Sequence, residues 1–108
     1  MKIDAEIQAE LDLAEAARAA GNEGRARVCA RRAAGMAARQ YFLRQGIETG
    51  AFIAYTLLSM LAEVPDLDPQ VIGAAQDLTR RVDPDFRLPS GMDLIAEARA
   101  LCNQLSHL

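Results

Sequence analysis

Few side chains in this chain could do chemistry, and their spacing limits what they could do. There is one histidine, His107, one residue before the last. An imidazole can move a proton near neutral pH, and a guanidinium holds phosphate well. Arg99 and His107 are therefore the candidate catalytic pair, for chemistry on a nucleotide or RNA. The structural explanation for His107 is an ordinary residue at a frayed chain end. Three serines, Ser59, Ser90 and Ser106, have no neighbouring His/Asp arrangement that would make a nucleophile. Neither GxGxxG nor GxxxxGK[ST] occurs.

Cys29 and Cys102 lie far apart in sequence, each within an apolar stretch. They are expected as buried core thiols, with a bridge or redox pair as the alternative. Without CxxC or a Cys/His cluster at zinc spacing, no metal is expected, and no cofactor.

Charge is the most informative pattern. Asp4, Glu6, Glu10, Asp12 and Glu15 precede any arginine, whereas Arg25, Arg27, Arg31, Arg32, Arg39 and Arg44 follow with no acid between them. An acidic helix joined to a basic one by a tight turn should fold as an antiparallel hairpin. Each exposed ion pair contributes only about 0 to 1 kcal/mol, so the gain is in register and specificity. Read functionally, Arg31, Arg32 and Arg39 are candidate phosphate or partner contacts. Read structurally, they are neutralised by the acidic helix. Tyr41 and Tyr55 are expected at the edge of the core.

The elements that must position these groups are all helical. A first helix is predicted over Ile3–Ala20, with Ile3, Ile7, Leu11 and Ala14 as its apolar stripe. Gly21 ends it and Asn22 caps the next. A second helix over Glu23–Gln45 is apolar on several sides, which marks a central helix. It carries Ala26, Ala30, Ala33 and Ala37 on one face, Val28 and Phe42 on another, and Cys29, Met36 and Leu43 on a third. A third helix is predicted over Thr49–Glu63, with Ile53, Leu57, Met60, Leu61 and Val64 as its stripe and Pro65 as its stop. A fourth starts at Asp68 with Pro69 at its first position and buries Val71, Ala75, Leu78 and Val82. Asp83–Pro89 is a loop. A fifth starts at Ser90, with Asp93 completing a variant capping box, and buries Leu94, Ala98, Leu101 and Leu105, with Ile95 and Cys102 beside them.

The 108 residues suit a single domain, 1–108, with enough core to need no metal or disulfide. The apolar share is 51% with only 5% aromatics, so small side chains dominate and favour close helix packing over a sheet. The net charge of −3 and pI of about 5.1 give no global field to gather nucleic acid. The charged start lacks a signal-peptide run. No stretch reaches the length of a membrane span, so the expected location is the cytoplasm.

The second helix, with Ala26, Ala30, Ala33 and Ala37 followed by Tyr41 to Leu43, resembles HEPN domains in its spaced alanines and aromatic–leucine patch. That resemblance implies a bundle of four or five helices, a tendency to homodimerise, and a nucleotidyltransferase-type protein partner. RNA-cleaving HEPN members carry Arg-x(4–6)-His on a late helix, whereas seven residues separate Arg99 from His107. The resemblance therefore implies a non-catalytic member. A second likeness, of Leu13-Ala14 through Ala33-Ala34 to one tetratricopeptide-type hairpin, is not repeated by the later helices.

The resulting expectation is an all-α, up-and-down antiparallel bundle of about five helices. It is HEPN-like, non-enzymatic, a homodimer, and binds a protein partner. The alternative is a nucleotide- or RNA-acting component of a toxin–antitoxin or nucleotidyltransferase pair. A bundle holding a small molecule is a third possibility.

Overall fold

The computed structural model describes residues 3–80 and 92–108. Among these residues five helices stand in the order α1 (Ala5–Ala19), α2 (Glu23–Arg44), α3 (Ala54–Ala62), α4 (Pro69–Leu78) and α5 (Leu94–Ser106). No strand occurs among the described residues. The all-α bundle expected from the sequence is the fold of the chain.

Local signals place most of the helix starts. The carboxylates of Asp4 and Asp68 accept from the amides of Glu6 and Gln70, and the side chain of Asn22 accepts from that of Arg25. Each satisfies a donor that a helix start leaves open. Gly21 takes the left-handed conformation, φ 79°, that lets α1 turn sharply into α2.

The core is built around α2, which buries Ala26, Cys29, Ala30, Ala33, Ala34, Gly35, Ala37, Ala38 and Phe42. The first helix presses Ile7, Leu11, Ala14 and Ala17 against it, each large side chain contributing about 1.5 to 3 kcal/mol by leaving water. The two run antiparallel. Arg18 at the end of α1 bonds Glu23 at the start of α2, while Ile3 and Ile7 share a cleft with Ala37 and Arg44. Leu94, Ile95, Ala98, Leu101, Cys102 and Leu105 line the buried side of α5. The side chain of Gln104 near the end of α5 meets that of Gln70 at the start of α4, so those two helices are also antiparallel. Both cysteines are buried and unbridged, as core thiols. Burial pushes the Cys102 thiol up to about 12.

Two starts differ from the sequence expectation. The third helix begins at Ala54 rather than Thr49, because the preceding segment folds back along α2. Arg39 holds it by donating to the Thr49 hydroxyl and to the carbonyls of Gly50 and Phe52. As a result Ile53, expected in the core, is exposed, while Leu58 is buried with Leu57 and Leu61. The fifth helix begins at Leu94, with Asp93 rather than Ser90 as its cap. The Asp93 carboxylate accepts from the amides of Ile95 and Ala96 and is itself held by Arg18 at 2.9 Å. The expected loop Asp83–Pro89, Val82 and the Ser90 cap lie outside the described residues.

Candidate functional site: an arginine-rimmed apolar cleft

A cleft of about 500 Å³ runs between α2 and the start of α3. Its shape depends on one close approach. The backbone of Ala54 lies so near Gly35 that a Cβ at position 35 would fall 2.5 Å from the Ala54 side chain and 2.8 Å from its Cα. Only glycine admits that contact. The return segment brings Phe52 and Ile53 to one wall, and α2 supplies Val28 and the arginines to the other.

All three arginines singled out from the sequence, Arg31, Arg32 and Arg39, line this cleft. Arg39 is a staple for the wall rather than a free charge, for its guanidinium is spent on Thr49, Gly50 and Phe52. Arg31 donates through Nε to the Leu78 carbonyl at 2.8 Å, an acceptor that the last turn of α4 leaves open. Arg32 lies 3.6 Å from Glu10 of α1 and keeps a side chain 59% exposed. That ion pair and Arg18–Glu23 across the turn are the α1–α2 pairs among the described residues. The internal neutralisation expected for α2 is thus confined to a few points. Like Arg31, Arg44 bonds a helix-end carbonyl, that of Leu105.

The apolar part of the rim was not foreseen. Val28, Phe52 and Tyr55 are exposed at 47, 43 and 45%, and Ile53 at 67%. All four line the same cleft. A second depression, of about 400 Å³, adjoins it and shares Val28, Arg31 and Tyr55, adding Arg27 and Arg80. Among the described residues no aspartate or glutamate lines either depression. The first turn of α3 in the wall has no side-chain cap at Ile53.

The candidate catalytic pair is not brought together. Arg99 lies within α5 and His107 is its C-cap, the two separated by roughly 12 Å of helix rise. Arg99 lies 3.6 Å from Glu15. His107 stands at the C-terminal end of α5 with Nδ1 2.6 Å from the Asn103 carbonyl, a geometry that makes Nδ1–H the donor. No group of three or more His, Cys, Asp or Glu residues among the described residues is placed to hold a metal ion. No helix among them is long and apolar enough to cross a membrane.

One further electrostatic feature lies away from the cleft. Burial, followed by a hydrogen bond with Asp77, pushes the Glu97 carboxyl up to about 7. Its Oε2 is buried without a partner among the described residues. The Arg18 guanidinium, in contrast, holds the Asp93 carboxyl below its ordinary value.

The chain matches no protein-family model, and no curated protein or solved structure matches it.

Proposed function

We propose that the chain is a small, non-enzymatic, HEPN-like interaction module that binds a protein partner through the cleft between α2 and α3. One observation carries this reading. Four large apolar side chains, Val28, Phe52, Ile53 and Tyr55, stand exposed together in a cleft whose charged lining, among the described residues, is arginine. Contiguous exposed apolar surface rimmed by polar groups marks interaction sites, and aromatic residues with arginine are enriched in such interfaces. The separation of Arg99 from His107, and the contacts each already makes to Glu15 and Asn103, support the non-enzymatic side of the reading. The RNA-acting alternative keeps the arginines of the cleft but has no assembled Arg99–His107 pair among the described residues.

The test is affinity purification of the tagged chain from its own host cells, beside Ile53→Asp. The reading predicts a stoichiometric protein with the parent chain that is lost with the variant, while the helical circular-dichroism signal is unchanged. A nucleotidyltransferase-type partner would support the HEPN resemblance as well. An eluate with excess absorbance at 260 nm and no stoichiometric protein would favour the RNA-acting alternative. The expected homodimer is tested by light scattering across concentration: a doubled mass supports it and a constant monomer mass removes it.

A further inference from the structure

We infer that the occupant of the cleft is an acidic amphipathic helix of another protein, an inference that rests on the docking reading above. The first argument is shape. The two depressions share Val28, Arg31 and Tyr55 and together follow α2 from Gly24 to Arg39. That is roughly 22 Å at 1.5 Å per residue, room for about four turns of a second helix.

The second argument is charge. Arg27 and Arg31 stand one helical turn apart on the same side of α2, the spacing at which a docked helix offers carboxylates at i and i+4. Arg27 has no ion-pair partner among the described residues. Arg31 engages the Leu78 carbonyl through Nε, and a guanidinium has further donors to offer a carboxylate. Apolar anchors at i, i+3 and i+4 of the docked helix would meet Val28, Ile53 and Tyr55, the usual form of helix-in-groove recognition.

The molecule already shows this mode once. Another flank of α2 is covered by α1, an acidic helix whose apolar stripe is buried against α2 and whose Glu10 meets Arg32. The cleft offers the same chemistry elsewhere on α2, with no aspartate or glutamate lining it among the described residues. A second copy of the chain fits less well. Its acidic helix has already spent Ile7, Leu11, Ala14 and Ala17 on its own core and presents Leu13 as its exposed large apolar residue. RNA also fits less well, since Phe52 and Tyr55 offer rings but Val28 and Ile53, the other exposed apolar side chains of the cleft, do not, and the chain is net acidic.

The experiment is fluorescence anisotropy with a labelled helical peptide of about 16 residues, leucines at i, i+3 and i+4 and glutamates between them. Three controls accompany it: the same peptide with lysine for glutamate, one broken by prolines, and an oligouridine of similar length. The inference predicts saturable binding of the acidic helix alone, weaker as salt rises. Arg27→Glu, at a half-buried position, and Ile53→Asp, at an exposed one, should each weaken it by about tenfold with circular dichroism unchanged. Equal or tighter binding of the lysine peptide or the oligouridine would overturn the inference. So would the absence of saturation with any peptide. If the peptides fail while cells still yield a partner sensitive to Ile53→Asp, only the acidic class is wrong. If both fail, the docking reading falls too.

Discussion

Ala54 rests on Gly35 with no room for a side chain between them. A Cβ at position 35 would lie 2.5 Å from that of Ala54 and 2.8 Å from its Cα. This contact fixes where α3 begins against α2, and so fixes the wall of the cleft. Gly35→Ala sets two effects against each other. Alanine is better than glycine in a helix interior by about 0.8 to 1 kcal/mol, but overpacking against backbone costs about 1 to 3 kcal/mol. Because the obstructing atoms include backbone, the second effect should win. Chemical denaturation should show a net loss of about 1 kcal/mol or more, and the environment of Tyr55 should change in near-ultraviolet circular dichroism.

Arg39 is the other determinant of that wall. Arg39→Met keeps the stem and removes the donors to Thr49, Gly50 and Phe52. Thr49 is buried, so its hydroxyl and the nearby carbonyls lose partners at a cost of about 1 to 3 kcal/mol. Hydrogen exchange should rise first over residues 47–56, with α1 and α5 still protected. Uniform loss of protection would mean that Arg39 supports the whole core rather than this segment.

Asp93 joins two helices, capping α5 while binding Arg18 in the last turn of α1. Asp93→Ala should cost about 1 to 2 kcal/mol, and Asp93→Asn less, since the amide oxygen can still accept from Ile95 and Ala96. Arg18 lowers the Asp93 carboxyl in the folded state. Its contribution is therefore present above the ordinary aspartate value of 3.8 and lost as pH falls through the folded value. The parent chain should lose more stability than Asp93→Asn on titration below pH 3.8.

Glu97 has the opposite sign. Its carboxyl is raised from 4.5 to about 7, so the folded state holds a proton that the unfolded chain gives up. Stability from this group is fully present below about pH 4.5 and is lost as pH rises through about 7. Glu97→Gln should remove that slope, melting higher than the parent at pH 8 and alike at pH 4. A steeper decline in the variant would show that the charged carboxylate is the form the fold favours.

Both cysteines are buried, and burial keeps the Cys102 thiol protonated at neutral pH. Only the thiolate reacts readily. Ellman's reagent should therefore titrate neither thiol until denaturant is added, and then both. Fast reaction of one thiol under native conditions would contradict the core assignment.

Much of the fold was legible because local signals and periodicity agreed. Asn22 and Asp68 cap where the sequence places them. The all-round alanines of α2 mark the helix that every other helix touches. The start of α3 was not legible in the same way. Thr49 to Ile53 continues an apolar helical pattern, and its actual path is set by Arg39, ten or more residues away. The overlooked signal was Gly50, which takes a left-handed φ of 50° within what was predicted as helix. For α5, two acceptors three residues apart competed as caps, and the choice of Asp93 depends on Arg18, which is distant in sequence. The three arginines of the cleft were visible from their type. The apolar rim was not, because Val28 and Ile53 read as core residues until the position of α3 is known.

The most direct test of the cleft as a protein-binding surface is a photo-crosslinking residue placed at Ile53 in the full chain, expressed in its own host cells. Ala9, exposed on the outer side of α1, serves as the control position. The cleft reading predicts one discrete protein adduct from position 53, reduced by Arg27→Glu, with none from position 9. No adduct at position 53, or the same adducts from both positions, would contradict it.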